Sequence, residues 1–295
     1  MPKITKNKWV CRWSSTLGEL EDSADKIWGT KPYNPKTDID KPCVFFGVYG
    51  LPDFYALWRH KGDKAILWCG TDITHFMNGY WLDDEGDICL DPKALAKWIN
   101  RNCVSFVENE VEQRALSGYG IESKVRPSFL GDVKKYQVKF KKGNNVYLSV
   151  SGNNFHQYGW NKIKDIAKKC PKINFHLYGN YQTYYPLENI KNVFVKGRVS
   201  KEKMNKEISQ MQCGLRLNKD MDGFSEITAK SILWGQYPIV YRAYSYPLID
   251  SFSTINELCE LLNDLPNKTK PNIKAREYYL TNLNNYIWNS KKQSI

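Results

Sequence analysis

The chain has 295 residues, a length that suits one large domain or two modest ones. Hydrophobic residues make up 42% of it, which excludes wholesale disorder. No apolar run approaches the ~20 residues that a membrane span needs. The formal charge of +12 lies entirely beyond residue 107: residues 1–107 hold 14 basic and 14 acidic side chains, residues 108–295 hold 29 and 17. The densest stretch, 124–142, sets seven Lys/Arg against Asp132 alone. A basic half points to an anionic partner, whether a nucleotide diphosphate, a nucleic acid such as DNA, or a membrane surface. The eight cysteines form no C-x-x-C pair, so neither a metal site nor a disulfide framework is expected. The first 13 residues lack the apolar core of a secretory signal. The expected location is therefore the cytoplasm of a bacterium or a phage-infected host, with peripheral attachment to a membrane as the variant.

Strand-like apolar runs alternate with helical patterns along the whole chain. The first series predicts strands at 43–49, 65–69 and 104–107 and an exit strand at 124–127. Its helices are predicted at 54–60, at 92–100 behind an Asp91 N-cap, and at 110–117. Residues 128–145 read as a basic connection. The second series predicts strands at 146–150, 174–178, 193–195, 213–217 and 238–241. Its helices are predicted at 161–170, at 201–211 behind a Ser200 N-cap, and at 226–234, 255–263 and 273–288. Two such series imply an α/β chain of two Rossmann-like domains facing a central cleft, where ligands bind at the carboxyl ends of the strands. The expected boundaries are 1–140, 141–272, and a C-terminal helix, 273–295, that packs back across the cleft. Trp58, Trp68 and Trp98 fit core positions. Trp9, Trp13, Trp28 and Trp81 fall in loop-like stretches, where rings can stack on sugars or bases. His60 is expected as a charge at a helix end, and His176 as a core residue in a strand.

One segment is more specific. It runs Val195-Lys-Gly-Arg-Val-Ser-Lys-Glu-Lys-Met204, then Gly214-Leu-Arg-Leu-Asn218, then Asp222-Gly-Phe-Ser225, then Gly235-Gln-Tyr-Pro238-Ile-Val. It is preceded by Ser149-Val-Ser-Gly152 and Tyr158-Gly159. This order resembles the nucleotide-sugar half of the retaining GT-B glycosyltransferases of the group-1, family-four type. The resemblance implies that 1–140 is the acceptor side and 141–272 the donor side. The implied co-substrate is a nucleotide diphosphate sugar, uridine-linked on the family pattern, with no tightly bound cofactor. Gly152, Asn153, His156, Arg216, Asp222, Gly223, Phe224, Ser225, Glu226 and Lys230 are the implied donor-binding set. The physical logic is that helix N-termini and free backbone N–H groups stabilise a leaving diphosphate. Asp222 matches the family's acidic residue that holds sugar hydroxyls.

The chain departs from the family at three places. The Glu expected eight positions after Asp222 is Lys230. The Arg and Lys that meet the diphosphate are replaced by Asn153 and, nearby, Gln157 and Tyr158. One hypothesis is that Lys230 reaches the diphosphate, helped by Arg216 or Arg198. On the acceptor side, Gly47 and Gly50 mark the binding loop, and Asp72 and His75 are the catalytic candidates. Retaining transfer asks for electrostatic support and positioning, since the departing phosphate can take the acceptor proton. The acceptor expected first is a hydroxymethylated pyrimidine in DNA, flipped from the stack. A cell-surface glycan or lipid-linked acceptor is the alternative, and a non-catalytic nucleic-acid-binding module is the alternative of another class.

Overall fold

A computed structural model of the chain describes residues 9–20, 28–80, 90–150, 156, 158–180, 187, 189–218 and 222–283. Gly152, Asn153, Gln157, Trp81 and the stretch beyond 283 lie outside the described residues. The chain divides into two compact units, Met1–Asp132 with Leu283–Ile295, and Val133–Asn282. Each carries one parallel sheet, and each sheet has six strands among the described residues.

In the first unit the strands are β1 (Val10–Trp13), β2 (Lys31–Pro32), β3 (Cys43–Phe46), β4 (Lys64–Leu67), β5 (Cys103–Val107) and β6 (Ser123–Val125). The helices are α1 (Leu51–Arg59), α2 (Thr71–Met77), α3 (Pro92–Asn102) and α4 (Glu110–Gly118). Spatial order is β2-β1-β3-β4-β5-β6. β3 and β4 are buried at every position, as expected for strands covered on both faces. Asp91 caps α3 by accepting from Lys93 N, and Asn109 caps α4 by accepting from Glu112 N. Glu112 is itself buried, and its Oε2 accepts from Glu108 N, one residue before the cap, at 2.6 Å.

The second unit contains β7 (Asn145–Ser149), β8 (Asn174–Tyr178), β9 (Val193–Gly197), β10 (Cys213–Arg216), β11 (Ile239–Tyr241) and β12 (Asp250–Phe252). Between and after them run α5 (Ile163–Lys169), α6 (Lys201–Ile208), α7 (Glu226–Leu233), α8 (Ile255–Asp264) and α9 (Ile273–Asn282). The order is β12-β11-β10-β7-β8-β9. One face packs a core of Leu148, Ile166, Phe175, Leu177, Leu215 and Leu262 with their neighbours. The other face packs Tyr147, Tyr178, Ile208, Ile227 and Trp234. The chain proceeds from β7 outward to β9, then returns to the other side of β7 at β10. The switch point of this sheet is therefore the β7/β10 border, where a doubly wound fold opens a crevice at the strand ends.

Several expectations change. Trp58 is not core: it is 54% exposed, on the outer side of α1 beside Tyr55. Trp68 is fully buried, and Trp13 and Trp28 stack on each other at 5.9 Å against Phe46, which makes them packing residues. His60 is buried, its Nε2 lies 2.7 Å from Lys41 O, and burial holds its pKa below the usual value. It is therefore no charge at a helix end. His176 does belong to a strand and stacks on Phe194 at 5.0 Å.

Candidate functional site

The β7/β10 switch point is built around Arg216, the last residue of β10. Its Nε and Nη2 donate to Asp222 Oδ2 and Oδ1, both at 2.7 Å. Both side chains are nearly buried, at 13% and 12% exposure. Burial pushes the guanidinium pKa down, but Asp222 and Tyr158 outweigh it and leave the group held above its ordinary value. A planar guanidinium matched to both carboxylate oxygens is a strong, orienting pair. Tyr158 closes the other side, with Arg216 Cζ 4.2 Å from its ring centroid. The adjacent Gly159 sits at φ +73°, and a Cβ there would meet Leu217 Cβ at 2.6 Å. Only glycine lets the Tyr158 turn approach the end of β10 this closely.

Beyond Asp222 the chain turns into α7. Ser225 is the N-cap: its Oγ accepts from Thr228 N at 3.2 Å and lies 2.8 Å from Thr228 Oγ1. Phe224 is buried, stacked on Tyr279 at 5.5 Å and edge-on to Tyr246 at 4.8 Å, so it anchors the turn from beneath. Phe224 thus contributes packing, while Gly223 and Ser225 carry the backbone that opens the helix. Gly214 lets α7 lie against β10: an added Cβ would meet Ile227 Cγ2 at 2.9 Å, Tyr147 Oη at 3.0 Å and Ser231 Cβ at 3.1 Å.

Two cations share the carboxylate of Glu226, the first residue of α7. Lys230 Nζ is 2.9 Å from Glu226 Oε1, and Lys201 Nζ, at the start of α6, is 3.5 Å from the same oxygen. Lys230 is buried, and Glu226 and Lys201 are exposed. Burial pulls the Lys230 ammonium pKa down, partly offset by Glu226. Partial loss of solvent around the Glu226 carboxylate raises its pKa, but Lys230 and Lys201 outweigh this and hold it below the usual range. The cluster sums to one net positive charge beside a helix N-terminus, the electrostatics an anion needs.

The expected donor set is thus brought together in part. Arg216 ends β10, Asp222, Gly223 and Ser225 form the turn into α7, and Glu226 and Lys230 stand one turn apart on α7. His156 is exposed, on the turn that leads to Tyr158 and Gly159. Arg216 is paired with Asp222, and the cation that shares Glu226 with Lys230 is Lys201. Lys201 carried no signal in the sequence beyond its place after the Ser200 cap.

On the first unit, Gly47 (φ +71°) ends β3, and Gly50 opens α1. Asp72 corrects the expectation made of it. It is the second residue of α2, fully buried, and its carboxylate accepts from Cys69 N at 2.9 Å and Val48 N at 3.1 Å. Burial drives its pKa up to about 7, against the pull of those N–H groups. With no exposed surface it ties the exits of β3 and β4 together and cannot meet a substrate. His75 is exposed on α2, edge-on to Tyr49 at 6.1 Å. Among the described residues no group of three or more His, Cys, Asp or Glu is placed to hold a metal ion.

No family model matches the sequence, and no curated protein matches it. Solved structures do. Anabaena Alr3699/HepE in complex with UDP superposes at a TM-score of 0.66 and 11% identity, over 94% of this chain and 95% of that one. The fold is GT-B. Other matches share this GT-B fold. A Staphylococcus aureus TarM variant in complex with Fondaparinux, alpha-GlcNAc-glycerol and UDP gives 0.57 at 14% identity, over 81% of this chain. The match spans about half, 52%, of the TarM chain. An alpha,alpha-trehalose-phosphate synthase (UDP-forming) from Burkholderia vietnamiensis gives 0.57 at 8%, over 90% of this chain and 72% of its own. No helix among the described residues is long and apolar enough to cross a membrane.

Proposed function

We propose that the chain is a retaining glycosyltransferase that moves a hexose from a UDP-sugar to a hydroxyl acceptor. The observation that carries this is the Arg216–Asp222 pair at the β7/β10 switch point, one short turn from the start of α7. In this reading Asp222, fixed by Arg216, takes sugar hydroxyls; a carboxylate offers about four acceptor positions, so the ion pair and a ligand bond are compatible. The N–H groups at the start of α7 face the diphosphate, and Lys201 and Lys230 supply the positive charge for it. UDP-bound relatives of the same fold support uridine as the base. The acceptor class is a hydroxyl on an anionic macromolecule. Support comes from the exposed lysines Lys134, Lys135, Lys139, Lys141 and Lys142. Hydroxymethylated DNA and an anionic glycan or lipid-linked glycan are the trial acceptors, with His75, Gly47 and Gly50 on the acceptor side.

A thermal-shift panel of nucleotide sugars tests the reading. UDP and UDP-glucose are expected to raise Tm, and Lys230→Ala to weaken UDP about tenfold, the loss of one charge-assisted contact. Absence of a shift with every nucleotide sugar overturns the proposal. An unchanged UDP affinity in Lys230→Ala removes Lys230 from the site.

A further inference from the structure

A cavity of about 480 Å3 lies in the first unit, within the roughly 300–1,000 Å3 of small-molecule sites. One wall is α1, through Pro52, Tyr55, Ala56 and Arg59. Those positions are spaced i, i+3, i+4 and i+7, so they form a single stripe of the helix. The facing wall includes Arg12 of β1 and Tyr33, just past β2. Gly47, Gly50, Asp72 and His75 do not line it.

Its two guanidinium groups differ. Arg12 Nη1 donates to Asp53 Oδ1 at 2.7 Å. Asp53 Oδ2 also accepts from the Ser14 hydroxyl at 2.7 Å and Tyr49 N at 3.0 Å. Arg12 is therefore fixed in place with its charge balanced, and its remaining N–H groups have a defined direction. Arg59 has no carboxylate partner among the described residues, and its Cζ stands 5.3 Å from the Tyr55 ring centroid. Tyr55 is 54% exposed, an open aromatic face on a helix whose other side is core.

Each group selects a feature of the ligand. The unbalanced guanidinium asks for a carboxylate or phosphate, which its planar fork binds through two N–H groups. The open ring asks for an apolar face, which the C–H side of a pyranose provides. The phenols of Tyr33 and Tyr55 and the fixed Arg12 ask for hydroxyl partners. We propose that this cavity binds an anionic hexose, a sugar ring carrying one carboxylate or one phosphate, at a place separate from the donor site.

Calorimetry on the full chain tests it, with glucuronate, glucose 1-phosphate and neutral glucose as probes. Saturable binding of at least one anionic sugar, and none of glucose at the same concentration, is expected. Binding of glucuronate alone assigns a uronic acid, and of glucose 1-phosphate alone a sugar phosphate. Arg59→Ala, an exposed position whose loss leaves the core intact, should weaken binding about tenfold or more. Tyr55→Ala should weaken it as well, with circular dichroism and Tm confirming both folds. Three results overturn the proposal: no saturable heat with either anion, wild-type affinity in both variants, or complete displacement by UDP. UDP is titrated in the same samples. Failure to bind UDP with sugar-anion binding intact would therefore count against the transferase reading and leave this one standing.

Discussion

At the residue scale, the Arg216–Asp222 pair joins stability to the proposed donor site. Asp222→Asn would leave a nearly buried guanidinium facing a neutral amide. Breaking such a pair costs about 2–4 kcal/mol, most of it the penalty for an unbalanced buried charge. A clear fall in Tm and loss of UDP-sugar binding are both expected. The double variant Arg216→Met, Asp222→Leu removes both charges. It should recover much of the Tm without recovering donor binding, which thermal melts and calorimetry would show. If the double variant binds UDP-glucose as tightly as wild type, the pair has no part in the donor site. Asp72 makes a different statement, about pH. Its folded pKa, about 7, lies above the value near 3.9 of an unfolded Asp. Between those values the folded state holds a proton that the unfolded state has released. The stabilisation is therefore full below the unfolded pKa and is lost as pH rises through about 7. Chemical denaturation from pH 4 to 8 should show this decline in wild type, and Asp72→Asn should remove that component. A wild-type stability that rises through this window, with the variant parallel to it, would contradict the assignment.

At the element scale, the donor-side helix depends on how closely it can approach its strand. Gly214 lies under Ile227 and Ser231 of α7, and Gly214 N donates to Ser231 Oγ at 3.2 Å. A methyl group there must push against Tyr147 and α7, an overpacking that typically costs about 1–3 kcal/mol. Gly214→Ala should therefore lower Tm and shift the start of α7 enough to weaken UDP. Wild-type UDP affinity at a reduced Tm would separate the packing from the site. Much of this architecture was legible in the sequence, because local chemistry wrote it: Asp91 and Ser200 do cap α3 and α6, and 174–178 is β8. The unreadable elements had weak local signals. β1 and β2 are short and partly polar, Val10–Trp13 and Lys31–Pro32, and gain their strand identity by pairing with β3 and with each other. Helix α2 was hidden because Gly70-Thr71-Asp72 reads as a stop. Asp72, a catalytic candidate on its position after a strand, is a buried tie inside that helix. Trp58 misled for the reverse reason: its spacing fits a core stripe, but Phe54 and Leu57 already fill that stripe. The motif order from Val195 to Val240 marked the segment expected to hold a donor. It could not show that Arg216 would be committed to Asp222, because the pairing depends on the turn between them.

At the scale of the whole molecule, the uneven charge gives the most direct test of the proposed acceptor. The first 107 residues sum to zero, and the remaining 188 carry all +12. The basic stretch 133–142 is held against the rest of the second unit by aromatic anchors. Tyr136 packs on Trp234 at 5.3 Å and Phe140 on Tyr237 at 5.8 Å, while Arg276 donates to Tyr136 O at 2.9 Å. With those rings turned inward, Lys134, Lys135, Lys139, Lys141 and Lys142 stay exposed on a backbone fixed in place. A polyanion bound there releases counterions, and the affinity falls with salt by a slope set by the number of charges neutralised. Changing Lys139, Lys141 and Lys142 to Gln should weaken binding of an anionic acceptor most at low salt and flatten that slope by about two to three units for DNA. Those lysines lie outside the Arg216–Asp222 turn and the Lys201–Glu226–Lys230 cluster, so UDP affinity and Tm should stay near wild type. Filter binding of hydroxymethylated DNA and of an anionic glycan, each from 50 to 300 mM salt, gives the readout. An equal slope in wild type and variant for both polymers would show the charge to be solvated surface. A reduced slope for one polymer only would name the acceptor class on which the proposed transfer is then assayed.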